Sequence, residues 1–89
     1  MHELQKLLHE TIVVDTKAPF VFIGDLVKVQ EDCIVLENAD AHDLRATKST
    51  AELYILETKK YGLKMNRKSI TILTKEIISF SLLENVVEY

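Results

Sequence analysis

FVFIGDLVKVQEDCIVLEN, residues 20–38, is the stretch that decides the fold. Two runs rich in β-branched and aliphatic residues flank the acidic pair at 31–32, so the stretch predicts strands over 20–30 and 33–38 joined by a tight turn. Gly24 lies inside the first run, where a glycine usually marks a bulge or a sharp bend. The segment therefore predicts a strongly bent β-hairpin.

Strand-like segments continue on both sides of this hairpin. Residues 11–15 (TIVVD) precede it, separated by Pro19, which cannot donate a hydrogen bond to a neighbouring strand. Residues 69–74 (SITILT) and 77–83 (IISFSLL) follow it, and their apolar residues alternate. The alternation predicts two sets that each share one face, Ile70 with Ile72, and Ile78 with Phe80 and Leu82.

A short helix is predicted at the N-terminus, over residues 2–10. Leu4, Leu7 and Leu8 lie at helical spacing and form one apolar stripe. A helix this short is not stable alone, so we expect it to cover one end of a core. The polar residues 39–49 predict a loop or a frayed strand end.

A second helix is predicted over residues 50–61. Ser49 and Glu52 match a capping box, in which the serine oxygen accepts from the backbone amide of residue 52 and the Glu52 side chain accepts from the amide of residue 49. Gly62 supplies a left-handed stop. The residues expected to be buried are Leu53 and Leu56, with Tyr54 and Tyr61 as further candidates.

The order of elements is a helix, three bent strands, an inserted helix and two strands. Five short, bent strands in 89 residues cannot form a wide flat sheet with a covered face. A small, strongly bent five-stranded barrel hides one face and most strand edges. We therefore expect a mainly β fold, with residues 1–89 forming a single domain.

The composition indicates a reducing compartment and no membrane segment. Cys33 is the only cysteine, too few for an internal disulfide, and we expect a buried, inert thiol. No apolar run approaches the ~18 residues of a membrane span, and the N-terminus MHELQKLLHE is too polar for a signal peptide. A cytoplasmic location is expected.

The charge is divided unevenly along the chain. The net charge of −3 disfavours a protein coated with basic residues for nonspecific nucleic-acid binding. Residues 1–58 carry 5 basic and 11 acidic side chains, whereas residues 59–75 carry six cations and no acid. This basic segment is either a solvated loop and strand edge or a local anion-binding patch.

No complete catalytic or metal-binding signature is present in the sequence. His2 and His9 would share a helical face, and Asp40, His42 and Asp43 lie close together, but such residues in polar segments are more often simply hydrated. The sequence offers no nucleophile with its base, no paired acid and base, and no phosphate loop. We therefore expect a protein that is not an enzyme and holds no metal or cofactor.

Two segments resemble the motifs of Sm-like proteins, the family that includes the Hfq-type RNA chaperones. Residues 24–39 (GDLVKVQEDCIVLENA) resemble the first Sm motif, with a glycine at the bend, a turn, and an I-x-L-x-N strand. Residues 72–82 (ILTKEIISFSL) are similar to the second motif, with Lys75 in the turn and Ile78-Ser79 in the strand. With the N-terminal helix, the resemblance covers roughly half of the chain. It implies the barrel fold and assembly into a cyclic ring of about five to seven copies.

The chain departs from the family at the residues that bind RNA. Hfq-type proteins hold and stack uracil with a Gln-aromatic pair, and Glu31 and Asp32 stand at those positions. Of the Tyr-Lys-His motif in the last turn only Lys75 is kept, beside Glu76, and the Arg-Gly pair of archaeal and eukaryotic relatives is absent. The segment 41–66, which contains the second helix, is an insertion relative to the compact bacterial form.

Two functions remain open. The first is a ring-forming Sm-like protein that binds single-stranded RNA weakly, and the second is a structural or assembly module with the same barrel and no nucleic acid. For the first, the RNA-binding residues are predicted to be Lys75, which the resemblance places at the pore of the ring, and Arg67 and Lys68 as weaker candidates. If the carboxylate of Glu76 pairs with Lys75, the pore is nearly neutral.

Overall fold

The computed structural model of the chain describes residues 2–46 and 50–87. The described part contains two helices and five strands, in the order α1 (His2–Gln5), β1 (Thr11–Thr16), β2 (Phe20–Val29), β3 (Cys33–Asp43), α2 (Ala51–Tyr61), β4 (Arg67–Leu73) and β5 (Ile77–Leu82). Single 3-10 turns follow the last two strands, at Thr74–Glu76 and Leu83–Asn85. The predicted mainly β architecture, with one helix at the N-terminus and one before the last two strands, is confirmed.

The five strands form one antiparallel sheet in the order β4-β3-β2-β1-β5. The register between β2 and β3 shifts between Ile23 and Asp25, so Gly24 forms a bulge as predicted. A Cβ atom on Gly24 would lie 2.9 Å from the Cβ of Ala39, too close for any larger residue without rearrangement. The strands β2 and β3 therefore approach closely at the bend. In the strand order, β4 and β5 are the two edges of the sheet.

Both faces of the central strands are covered. Ile12, Val13 and Val14 are buried in succession along β1, which requires apolar packing on each side of the sheet. Ile12 and Val14 belong to a first core cluster, completed by Leu4, Leu26, Ile34, Leu36, Ala39 and Ile72. Val13 belongs to a second cluster with Val21, Ile23 and Ile55 of α2. The inserted helix thus covers the face of the sheet opposite to the first cluster.

Helix α1 is shorter than predicted. It ends at Gln5 and the chain continues in turns to residue 9, where His9 has a positive φ of 72°. The amide of His9 donates to the carbonyl of Leu26 at 2.6 Å, which attaches this end of the chain to β2. Leu4 is fully buried, with Leu7 and Leu8 packed beside it, so the predicted role in covering the core is confirmed.

Strand β3 is longer than predicted. Residues 39–43, which the polar sequence predicts as a loop or a frayed strand end, continue the strand to Asp43 and pair with the start of β2. Phe20 lies opposite Asp43 and Phe22 lies opposite Ala41. Of the two alternatives the loop was wrong for residues 39–43, because the pairing with β2 outweighs the local polarity of the segment.

Helix α2 begins one residue later than predicted and buries a different face. Thr50 is the N-cap, with its hydroxyl accepting from the amide of Leu53 at 3.2 Å, whereas Ser49 lies outside the described residues. The buried residues are Ile55 and Thr58, while Leu53 is 47% exposed. Leu56 and Tyr54 are half-buried and Tyr61 is exposed, so the predicted burial was wrong for Leu53 and Tyr61. The predicted stop is confirmed: Gly62 has a φ of 98° and its amide donates to the carbonyl of Thr58.

The two edge strands differ in how well the predicted alternation holds. Ile70 and Ile72 both contact the first core cluster, as predicted. In β5 a register shift lies opposite Asp15 and Thr16, so Ile77 rather than Ile78 faces the core with Phe80 and Leu82. Ile78 is 67% exposed, and the prediction that it shares a face with Phe80 and Leu82 was wrong because the alternation cannot reveal a bulge.

Cys33 lies at the start of β3 and is only half-buried. Its thiol is free and donates to the side-chain oxygen of Gln30 at 3.2 Å. The prediction of a buried thiol was therefore wrong in its degree of burial. The residue lies where the strand emerges from the 31–32 turn, which exposes one side of it to solvent.

Candidate nucleic-acid interface

Two turns that are distant in the sequence meet at one end of the sheet. The amide of Thr74 donates to the carbonyl of Asp32 at 2.8 Å, and Cys33 pairs with Leu73 in the β3–β4 ladder. The turn between β2 and β3 therefore lies directly beside the turn between β4 and β5. We call the residues of these turns, Glu31, Asp32, Thr74, Lys75 and Glu76, the paired-turn surface.

The paired-turn surface carries three carboxylates and one ammonium group. Lys75 is exposed, and no ion pair joins it to Glu76 among the residues that the structure describes. The backbone carbonyl of Glu76 accepts from the amide of Lys17 at 2.9 Å, which anchors the turn to the end of β1. The ammonium of Lys75 is thus accessible, but it lies in a locally negative region of the surface.

Arg67 and Lys68 lie at the opposite end of β4 from Lys75. The strand runs from Arg67 to Leu73, which at about 3.3 Å per residue separates the two ends by about 20 Å. Both side chains are exposed. The structure therefore does not bring the three predicted RNA-binding residues together within one protomer.

An open groove of about 600 Å³ lies at the Arg67 end, between α2 and the ends of β3 and β4. We call it the α2 groove. Its size falls within the range of small-molecule sites, about 300–1,000 Å³. It is lined by residues of β3, of α2 and of the connection from α2 to β4: Asp40, His42, Tyr54, Glu57, Thr58, Tyr61, Gly62, Lys64, Met65 and Asn66.

A stacked pair of rings, His42 and Tyr54, contributes to the α2 groove. The ring centroids are 3.7 Å apart and the planes differ by 8°. The Tyr54 hydroxyl donates to the Asp40 carboxylate at 2.5 Å. Burial of the ring, together with this hydrogen bond, raises the pKa of Tyr54 well above its ordinary range, so the hydroxyl stays protonated. These contacts fix β3 against α2.

Asn66 holds the groove on the side of β4. Its side-chain oxygen accepts from the amide of Ala41 at 2.9 Å, and its side-chain nitrogen donates to the carbonyl of Ala41 at 3.0 Å. Its own amide donates to the carbonyl of Ala39. The segment that leads from α2 into β4 is thereby bound to the end of β3.

Basic and apolar side chains surround the α2 groove on its open side. Tyr61 is 76% exposed and Met65 is 52% exposed, and both line the groove. Lys64 lines it as well, and the guanidinium of Arg67 donates to the backbone carbonyl of Asn66 at 3.0 Å. Lys59 is engaged elsewhere, since its ammonium donates to the backbone carbonyls of Glu84 and Val86.

The aromatic part of this groove has no local signature in the sequence. His42 lies in a segment that reads as a loop, and Tyr54 lies in the middle of α2, so neither predicts the other. The basic segment 59–75 was the available signal. It did not distinguish Lys64, which lines the groove, from Lys59, which binds the C-terminal 3-10 turn.

The structure shows no metal site in the part of the chain that it describes. Residues 2–46 and 50–87 contain no group of three or more His, Cys, Asp or Glu side chains placed to hold an ion. Asp43 binds Arg45, at 3.1 Å between Oδ1 and Nε, which lowers the pKa of Asp43. His9 lies beyond the end of α1, and the side chain of His2 lies outside the described residues.

Comparison with known proteins adds to this picture at the level of the fold. No protein-family model matches the chain, and no curated protein matches its sequence. Among solved structures, the chain is similar to the Sm protein of Pyrococcus abyssii in complex with a uridine heptamer, with a TM-score of 0.63 and 16% sequence identity. The match covers 91% of this chain and 93% of that chain. The fold is Sm-like.

A second solved structure shows a similar fold in a different setting. The chain is similar to one chain of the NatC complex bound to CoA, with a TM-score of 0.59 and 12% identity, over 89% of this chain and 82% of that chain.

None of the described helices is both long and apolar enough to cross a membrane.

Proposed function

We propose that this Sm-like chain assembles into a closed homo-oligomeric ring and binds single-stranded RNA weakly through Lys75 of the paired-turn surface. The observation that carries the proposal is the sheet itself. In its strand order β4 and β5 are the two edges, and each is paired on one side only within the described residues. Pairing β4 of one copy with β5 of the next satisfies both edges.

Exposed apolar residues on the two edges support this assembly. Leu73 at the end of β4 is 49% exposed, and Ile78 in β5 is exposed as well. Such residues on unpaired strands favour contact with another copy of the chain. Because the two edges are different strands, the contact is head-to-tail, and it closes into a ring if successive rotations complete a full turn without translation along the axis.

A ring increases the effect of a single lysine. Each copy contributes one Lys75, and the Sm-like arrangement points the turn between the last two strands toward the pore. Repeated cations around a pore focus a positive potential even in an acidic protein. The neighbouring carboxylates oppose it, and without an aromatic ring Asp32 offers no stacking, so binding is weak, salt-sensitive and without uracil preference. The RNA-bound Sm protein among the structural neighbours supports this proposal.

The second candidate is a structural or assembly module that binds no nucleic acid. Two observations favour it: the acidic character of the paired-turn surface and the likeness to a chain of the NatC complex. In this case the two edge strands bind other proteins or other copies of the chain.

Fluorescence anisotropy with short RNAs, at low and moderate salt, separates the two candidates. We expect Lys75→Ala to weaken binding several-fold and to reduce its salt dependence, because a repeated phosphate contact is lost. The matched control is Lys6→Ala, an exposed lysine of the N-terminal segment that we expect to leave affinity unchanged. Binding that Lys75→Ala does not alter removes Lys75 from the site. The absence of any RNA binding favours the assembly module.

A further inference from the structure

We propose that the α2 groove binds a nucleobase of single-stranded RNA that carries an exocyclic amino group, with the adjoining phosphates on Lys64 and Arg67. This inference rests on the proposed RNA binding, but it uses none of the residues of the paired-turn surface. It assigns a role to the inserted helix beyond covering the second core cluster. The contacts that support it lie within one protomer.

An exposed aromatic ring at the edge of the groove is the first requirement for base binding. Tyr61 leaves its ring largely in solvent at the last residue of α2, and Met65 is exposed on the connection that follows. Single-stranded nucleic acids bind by stacking bases on such rings, which contributes about 1–3 kcal/mol per base. The stacked His42–Tyr54 pair and the clamped Asn66 keep the remaining lining in place, so binding costs little ordering.

The cations lie where a backbone bound to this base would pass. Lys64 lines the groove, and the guanidinium of Arg67 is held at the carbonyl of Asn66. Asn66 lines the groove, so this hydrogen bond holds Arg67 beside it. Lys68 does not line the groove, and no described hydrogen bond or ion pair joins it to the lining. The structure thus separates two neighbouring cations that the sequence alone treats as equivalent.

Two carboxylates in the groove favour certain bases. Asp40 and Glu57 line it, and the Tyr54 hydroxyl occupies only part of the accepting capacity of Asp40. Carboxylates accept from the exocyclic amino groups of adenine, cytosine and guanine, whereas uracil has no amino group and offers only its N3–H, between two carbonyl oxygens that carboxylates repel. The same carboxylates keep phosphates out of the groove and on its basic edge. The preference is therefore for bases with an amino group over uracil.

The first test compares short oligoadenylate and oligouridylate of equal length by fluorescence anisotropy. We expect wild type to bind oligoadenylate more tightly. Tyr61→Ala is expected to weaken oligoadenylate binding about tenfold, while Tyr61→Phe, which keeps the ring, leaves it unchanged. Because Tyr61 is exposed, neither substitution disturbs the core. Equal or reversed affinities for the two oligomers overturn the base assignment.

The second test measures salt dependence with a matched pair of lysine and arginine variants. We expect the double variant Lys64→Ala/Arg67→Ala to reduce the slope of log affinity against log salt by about 0.7 for each residue. Lys68→Ala removes the same charge from a neighbouring residue that does not line the groove and is expected to change the slope much less. Equal slopes for Lys68→Ala and Arg67→Ala overturn the placement of the phosphates.

The two proposals fail in different ways. RNA binding that depends on Lys75 and is unchanged by Tyr61→Ala overturns the groove and supports the paired-turn surface. Binding that depends on Tyr61 and is unchanged by Lys75→Ala does the reverse. A groove that takes a protein segment instead of RNA leaves every RNA affinity unchanged in the Tyr61 variants, which also overturns the inference.

Discussion

The two ends of β4 present opposite combinations of position and chemistry. At the Leu73 end, the paired-turn surface occupies the position that the Sm resemblance assigns to RNA, but it holds one lysine among three carboxylates and no aromatic ring. At the Arg67 end, the α2 groove combines exposed aromatic and basic side chains with a firmly held lining. It is built from the end of β3, from α2 and from the connection that follows α2.

This difference shows that the same fold can carry different surface chemistry. The close packing at Gly24 and the contact between the two turns preserve the Sm-like geometry. These features constrain the backbone and leave the exposed side chains of the turns free to vary. A likeness of fold therefore locates the expected site without supplying its residues.

The largest expected effect comes from Ile78→Asp, which tests whether the paired-turn surface needs the oligomer while the α2 groove does not. A carboxylate on the β5 edge opposes strand pairing between copies, so we expect monomers in light scattering. Binding that depends on several Lys75 residues then falls about a hundredfold, because the contacts are no longer linked. Binding in the α2 groove, which lies within one protomer, persists.

The matched control for this substitution is Val87→Asp. Val87 is 65% exposed, close to the exposure of Ile78, but it lies beyond the last strand. We expect it to leave the oligomer intact. A ring that survives Ile78→Asp contradicts the proposed pairing of β4 with β5.

A smaller effect is expected from Asp32→Tyr, which restores stacking chemistry to the paired-turn surface. The backbone carbonyl of Asp32 makes the contact with Thr74, so the substitution keeps the turn geometry. We expect affinity for oligouridylate to rise about tenfold in anisotropy measurements. Asp32→Asn, which removes only the charge, is expected to give a smaller gain, and equal gains from the two would exclude stacking.

The smallest expected effect is a pH dependence of the free energy of unfolding, which comes from Tyr54 in the α2 groove. The raised pKa of Tyr54 means that the folded state favours the neutral phenol. This contribution is fully present below about pH 10, the pKa of an unfolded tyrosine, and is lost as the pH rises above it. We therefore expect the free energy of unfolding, measured by urea denaturation, to fall between about pH 9 and pH 11.

Tyr54→Phe tests the source of this dependence. It removes the hydrogen bond to Asp40 and is expected to cost about 1 kcal/mol at neutral pH while weakening the alkaline loss of stability. Tyr61→Phe changes an exposed tyrosine and should alter neither quantity. An identical alkaline loss in the Tyr54 variant and wild type would assign the effect to other groups.

The sequence predicted the elements of the fold well where local chemistry decides them. β-branched runs located β1 and β2, and Gly24 and Gly62 marked a bulge and a helix end that backbone geometry requires. The errors fall where partners decide. Residues 39–43 form a strand because β2 pairs with them, and Ile78 is exposed because of a bulge opposite β1.

The candidate sites were predicted less completely for the same reason. Lys75 came from a motif, and the structure places its turn beside Asp32, a contact that the motif did not predict. The stack of His42 on Tyr54 joins a strand to a helix and leaves no periodic trace along the chain. Leu53 and Ile55 are both apolar, so composition alone could not choose the face of α2 that packs on the sheet.

The side chain of Asn66 has a consequence for the alignment of β4 with β3. Its amide offers one donor and one acceptor, the same pair that a peptide group offers, and both engage Ala41. It therefore acts as an additional rung of the β3–β4 ladder beyond the last backbone pair, Ala39 with Arg67. A tight turn normally sets the alignment of two antiparallel strands; here the rung does so at the end of a long excursion. Since the entropy of closing a loop grows only slowly with its length, the excursion can vary in content while the edge strand keeps its alignment.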